Sequence, residues 1–236
     1  MSSPLIPSPC WFKFIENVSG KTDRRWIFRG QADASWSLIP GVGRPEVKGK
    51  RSYRREDELR IFEEFKAEAL CLHPDTSTDM ELLALAQHHQ LATRLLDWST
   101  NPLVAAYFAC QDEKNTVDAR VHMIRTELTG IKLKSDFKPF DEDMADVVLV
   151  RVPPRTSRIT AQQGVFSIHS HPVDAWQPDP ARNKAIAQYE TFNIPASEKP
   201  FFRAVLGIMG VDESRLMGGL DGIGRTLSRS YYNRFV

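Results

Sequence analysis

The stretch Leu82–Cys110, LLALAQHHQLATRLLDWSTNPLVAAYFAC, decides how this chain is read, because it sets a run of polar and aromatic groups between two apolar patterns of helical period. Leu82, Leu83, Leu85 and Ala86 form the face of one helix. Pro102 stands near the start of a second, whose stripe is Leu103, Ala106, Tyr107 and Cys110 at three- and four-residue spacing. Between them lie His88, His89, Gln90, Thr93, Arg94, Asp97, Trp98, Ser99, Thr100 and Asn101. The pattern predicts a helix, a polar turn and a helix, and a turn held by rigid elements is a preferred place for binding and catalytic groups.

A second segment, Trp26-Ile27-Phe28-Arg29-Gly30-Gln31, is an apolar run broken by one arginine and ending in a turn with Asp33, Trp36 and Pro40. It reads as a strand. An arginine among residues that would otherwise be buried needs an anion, a carboxylate or carbonyl oxygens for its five donors. Two readings stand: an internal ion pair with Asp97 or Asp33, or a ligand anion. Arg94 and Asp97 present a parallel choice, since they could pair with each other and brace the turn.

The 236 residues carry 31 basic and 30 acidic side chains, with 42% hydrophobic and 26% charged, a profile that fits one compact globular domain. The near balance of charge argues against nucleic acid as a partner. Lys48, Lys50, Arg51, Arg54, Arg55 and Arg60 concentrate positive charge, but Glu56, Asp57 and Glu58 interrupt it, so the stretch reads as a solvated loop and helix entrance. Cys10, Cys71 and Cys110 are too few and too irregular for a disulfide framework, which points to the cytoplasm. Residues 1–10, with three prolines and no charged start before an apolar run, read as an N-terminal arm rather than a signal peptide. No apolar stretch approaches the roughly 20 residues that span a bilayer, so no membrane partner is expected.

No metal is expected either. Adjacent His88 and His89 diverge on a helix, and His169 and His171 could chelate from one strand face but read as an exposed strand end with no carboxylate at ligand spacing. His122 stands apart from both pairs. His88 or His89 suits a helix C-terminus, where a hydrogen bond would orient the turn. A serine-hydrolase elbow is absent, and Cys110 lies within an apolar helix.

The remaining periodicities place a short helix from Trp11, a strand at 25–29, and an amphipathic helix over 57–72 with Leu59, Phe62, Phe65, Ala69 and Leu72 on one side. Strands follow at 121–124, 147–152, 164–169 and 190–194, and helices at 201–209 and 212–217, with Asp212 an N-cap. Strands mixed with segregated helices give an α+β fold: a single domain with a small, largely antiparallel sheet flanked by helices.

Taken together, these blocks resemble the FRG domain family, named for the Phe-Arg-Gly that stands here as Phe28-Arg29-Gly30. The family's second block, a helix ending in His, a Thr-Arg-Leu-Leu-Asp-Trp run and an Asn-Pro-Leu helix with Tyr-Phe-Ala, is matched by Gln87-His88-His89, Thr93–Trp98, Asn101-Pro102-Leu103 and Tyr107-Phe108-Ala109. A third, Gln-Gly-x-Phe, is matched by Gln163-Gly164-Val165-Phe166. The resemblance runs from about Trp11 to about Leu227, so the domain is taken as residues 11–236. One departure is Gln90, where a Gly is usual after the His.

The block order also resembles, more distantly, the ADP-ribosyltransferase fold, which implies NAD as substrate. On that resemblance Arg29 would hold the diphosphate or nicotinamide ribose, and Ser99 or Thr100 would shape the nicotinamide pocket with Trp98 or Tyr107 as its aromatic wall. Gln163 or Glu190 would take the third catalytic position, steadying the ribose as an oxocarbenium-like state forms. Arg29, Gln163 and Glu190 are thus the candidate catalytic residues. The candidate binding set is Arg29, Gly30, Gln31, His88, His89, Thr93, Arg94, Asp97, Trp98, Ser99, Thr100, Asn101 and Tyr107. Two functions stand: an ADP-ribosyltransferase or NAD glycohydrolase, a toxin or defence effector with a protein target, or a non-catalytic FRG module that binds a nucleotide or a protein partner. Glu190 in the pocket would favour chemistry; a pocket without it favours binding.

Overall fold

The computed structural model describes residues 8–44, 52–72, 78–112, 114, 116–132, 137–141, 143–152, 164–217, 224 and 227. Within them a seven-stranded sheet is flanked by helices, the α+β architecture expected. In chain order the elements are α1 (Pro9–Ser19), β1 (Trp26–Gln31), α2 (Arg55–Leu72), α3 (Asp79–His88), β2 (Leu95–Ser99) and α4 (Pro102–Cys110). After these come β3 (Ala119–Thr126), β4 (Ile131–Lys132), β5 (Val147–Val150), β6 (Gly164–His169), β7 (Ile186–Ile194), α5 (Lys199–Ile208) and α6 (Glu213–Met217). The spatial order is β4-β5-β6-β2-β1-β3-β7, antiparallel throughout except for the β4–β5 pair.

Local chemistry fixes most of the boundaries. Ser8 caps α1 by accepting from Trp11 N, so that helix starts ahead of Trp11 and takes in the last two residues assigned to the arm. Asn101 caps α4 by accepting from Leu103 N, with Pro102 at its first turn. The Asp212 carboxylate accepts from Arg215 N and leads α6, as its N-cap position requires. The helix predicted from residue 57 begins at Arg55 and buries Phe62, Ala69 and the charged Glu58, whereas Leu72 is exposed.

One expectation is corrected. The Thr-Arg-Leu-Leu-Asp-Trp run is not a turn between two helices: its last four residues begin β2, a central strand paired with β6 along its whole length and with β1 at one position. Four of the five β2 residues are buried, because both sheet faces are covered there, and a strand covered on both faces loses the alternation that would reveal it. The strand predicted at 25–29 also runs further, to Gln31, through Gly30.

The core lies on both faces of this sheet. Successive side chains of a strand alternate. Thus Trp26 and Phe28 of β1 join α1, α4 and α5 on one face, while Ile27 joins Leu38, Leu96, Trp98 and Ile124 on the other. A third apolar cluster under α2 and α3 takes in Leu95, Val150, Phe166 and Ile168.

A cleft where two central strands part

β1 and β2 are registered only at Phe28 and Ser99, whereas β1 and β3 pair along all of β1. Beyond that single pair the two strands separate, and the Arg29 side chain spans the gap, Nη1 donating to the Asp97 carbonyl at 2.7 Å. The parting opens a cleft of about 450 Å³, within the size range of small-molecule sites. Its lining comes from both sheet faces: Arg29, Gly30 and Gln31 of β1, Asp97, Trp98 and Ser99 of β2, Gln87 and His88 at the end of α3, and Ala105 and Phe108 of α4. Trp36 and Arg44, from the segment after β1, complete one side.

Arg29 finds neither of the carboxylate partners considered for an internal ion pair. The Asp33 carboxylate accepts instead from the backbone N and hydroxyl of Ser35, which closes its own turn. Asp97 gives Arg29 its backbone oxygen, and its exposed carboxylate stands on the cleft. The Arg29 Nε is buried and finds no acceptor among the described residues. Burial pulls this guanidinium down to about 10, with Asp97 acting against that pull and Arg44 reinforcing it. At neutral pH it stays charged, with donors to spare.

Behind the cleft two buried histidines are neutral. His122 is held down at about 3 by burial first and then by Arg29 and Arg120. The Tyr189 hydroxyl donates to His122 Nδ1 (2.8 Å), so His122 Nε2–H donates to Gln31 Oε1 (2.7 Å), and Gln31 Nε2 donates to the Ser37 carbonyl (3.2 Å). This chain fixes the Gln31 amide and ties β1 to the segment that carries Trp36. His169 also sits at about 3, through burial and then Arg29 and Arg94; its Nε2 shares a hydrogen bond with the Ser167 hydroxyl, whose oxygen accepts from Trp98 Nε1 (3.0 Å each). His169 is therefore buried inside the sheet, not at an exposed strand end, whereas His171 of that pair is exposed.

Several candidate residues prove to be scaffold. Arg94 does not pair with Asp97: its Nε and Nη2 grip both oxygens of the buried Glu58 at 3.0 and 2.6 Å. The Thr93 hydroxyl donates to Gln87 Oε1 and accepts from Leu95 N, closing the approach to β2. Asn101 is spent as the α4 cap, and Tyr107 lies in the core cluster, so of the two aromatics expected as the wall Trp98 lines the cleft, joined there by Trp36 and Phe108. His89 caps α3 and its ring meets that of His88. Thr100 follows β2 and does not line the cleft.

Glu190 lies on β7, at the outer edge of the sheet two strands from β1, where it pairs with Lys21 at 2.9 Å. It is not on the cleft. Gln163 falls outside the described residues, although Gly164, which follows it, lines the cleft. No cluster of three or more metal-ligating side chains occurs among the described residues. No helix among them is long and apolar enough to cross a membrane.

Gln90 explains the departure noted after His88. It is the one non-glycine with positive φ among the described residues (70°), and it ends α3 in a Schellman arrangement: Leu91 N donates to Ala86 O (2.9 Å) and Gln90 N to Gln87 O (3.0 Å). Gln90→Gly relieves that strain and is expected to raise stability by about 0.5–1 kcal/mol, read as a shifted urea midpoint. An unchanged or lower midpoint would show that the amide side chain offsets its own backbone strain.

The missed residues, Trp36, Arg44 and Phe108, had different visibility. Phe108 could have been found, because the turn of helix that faces a site lies one position from the stripe that faces the core. Trp36 and Arg44 carry no periodic signal. Residues 24–118 of this chain match a family described as the FRG domain. No curated protein and no solved structure matches it.

Proposed function

Residues 24–118 being an FRG domain, we propose that the parting of β1 and β2 is a nucleotide-binding cleft, and that its nucleotide is of the NAD class. The observation that carries this reading is Arg29: a charged guanidinium in the floor of a cleft, satisfied at one nitrogen by a carbonyl and, among the described residues, with donors left over beside aromatic walls. A planar, bidentate cation suits a phosphate better than an ammonium does. Phe108 and Trp36 offer flat apolar surface to a base, and the exposed Asp97 carboxylate is an acceptor for ribose hydroxyls. The likeness of the block order to the ADP-ribosyltransferases is what selects NAD among nucleotides.

Binding is the primary reading, because Glu190 is held away by Lys21. Cleavage of the glycosidic bond is a second reading, and Asp97 is the observation that favours it: a carboxylate on the cleft, close enough to Arg29 to feel its charge, could steady the positive charge that develops on the ribose.

Calorimetry with NAD, run beside an assay for released nicotinamide, tests both. NAD is expected to bind, and Arg29→Lys is expected to weaken it about 10- to 100-fold, the equivalent of one charge-assisted contact at about 1.5–3 kcal/mol. A folded protein that binds no nucleotide overturns the proposal. Nicotinamide release that is lost in Asp97→Asn, with NAD still bound, would establish the catalytic reading.

A further inference from the structure

Arg44 makes no ion pair among the described residues, yet the turn that leads into it is held at several points. It follows the short helical turn Gly41–Gly43. Val42 N donates to Thr93 O (3.2 Å) and Gly43 N to Pro40 O (3.0 Å). Gly43 packs so closely on Pro172 that an added Cβ would overlap the Pro172 carbonyl, and Gly41 rests 3.6 Å from Ala92. The turn is thus pinned to the chain entering β2 and to the segment after β6.

The side chain is held too. Arg44 Nε donates to Ile39 O (3.0 Å), which fixes the stem and leaves both terminal nitrogens without an acceptor among the described residues. Among the described residues no carboxylate pairs with Arg44; Asp97, the acid near this end of the cleft, sits beside Arg29. Two guanidiniums therefore line one small cleft and repel each other, which costs free energy until an anion with more than one charge lies between them. A single phosphate engages one planar fork well, whereas two linked phosphates offer an oxygen face to each.

We infer that Arg29 and Arg44 together form a diphosphate site, so that the cleft selects nucleoside diphosphates and their esters over monophosphates. This deepens the nucleotide reading and rests on it. The diphosphate bridges the two arginines, and the nucleoside end lies toward Trp36 and Phe108.

The test is calorimetry of the whole chain with ADP and AMP, repeated with Arg44→Ala and Arg44→Lys after thermal melts confirm folding. ADP is expected to bind at least about 10-fold more tightly than AMP, a second charge-assisted contact being the difference. Arg44→Ala should erase that preference and leave AMP affinity within about two-fold, while Arg44→Lys restores part of it. Inorganic pyrophosphate, but not orthophosphate, should compete with ADP. Equal affinity for ADP and AMP in the unaltered protein overturns the diphosphate site and leaves the nucleotide cleft standing, as does an equal loss of both ligands in Arg44→Ala. Pyrophosphate that fails to compete also overturns it. If AMP, ADP and NAD all fail to bind, the nucleotide reading falls and takes this one with it.

Discussion

Arg94→Met is expected to destabilise the protein by about 3–5 kcal/mol, the usual result of removing one partner from a buried ion pair. Arg94 is 1% exposed and Glu58 6%. Their paired contacts at 3.0 and 2.6 Å form a two-toothed grip, and Arg94 Nη2 also donates to the Tyr53 hydroxyl (3.2 Å), which in turn donates to Glu58 Oε2 (2.7 Å). Nη1 reaches the Pro139 carbonyl at 3.4 Å and the guanidinium lies 4.4 Å from the centre of the Phe140 ring. Burial, and after it Glu58, pushes the Tyr53 phenol above its ordinary range, so it stays a neutral donor. Methionine keeps the volume but leaves the Glu58 carboxylate without its countercharge in a dry site. The measurement is urea unfolding, with Glu58→Leu added to Arg94→Met as the control: removing both charges should recover most of the loss. A loss below about 1 kcal/mol in the single variant would mean that water reaches Glu58 and that the pair is not a clamp. Because Arg94 does not line the cleft, NAD affinity of the folded fraction should not change.

This pair shows where motif reading stops. Arg94 and Asp97 stand three residues apart in one run, and as a turn that run would bring them together. As a strand it sends residue 94 toward α2 and the segment at 137–141, and residue 97 to the cleft. The partner that decides the role of Arg94, Glu58, lies 36 positions away on a helix whose pattern gave it no reason to be buried. Glu190 illustrates the same limit from the other side. Its strand was legible in the alternation of 190–194, but its partner Lys21 and its place at the sheet edge depend on strand order, which no local pattern encodes.

What was legible follows from short-range chemistry. Pro102 announced α4, and Asp212 announced α6, because such start signals act within a few residues. Arg29 announced itself because a charge in an apolar strand must be accounted for. Its actual acceptor, the Asp97 carbonyl, could not be foreseen, since a free carbonyl there exists only because β1 and β2 part after Phe28 and Ser99. Arg44 depends on the same tertiary circumstance. Its turn is placed by Thr93 and Pro172, about 50 and 130 residues downstream, and nothing beside it in the sequence points to a cleft.

Gly30→Ala is expected to be as damaging as loss of the clamp, for a reason that has nothing to do with a ligand. Gly30 is the position at which α4 crosses β1, and an added Cβ would overlap the Ala105 carbonyl and stand 2.5 Å from Ala109 N. Both obstacles are helix backbone, so relief requires α4 to move as a body. That helix cannot move cheaply: Val104, Ala105, Ala106, Ala109 and Cys110 are all buried, and Arg203 of α5 holds its end by donating to the Cys110 carbonyl at 2.7 Å. Overpacking typically costs about 1–3 kcal/mol where side chains can yield, and here none can, so the loss should lie at or above the top of that range. Because Gly30 also lines the cleft, displacement of α4 should shift Phe108 and weaken NAD binding as well. Urea unfolding and calorimetry on Gly30→Ala, with Gly207→Ala of α5 as a control where an added Cβ meets nothing within 4 Å, separate these effects. A Gly30→Ala protein as stable as the original would show that α4 does not press on β1, and would return the glycine to a role in ligand approach alone.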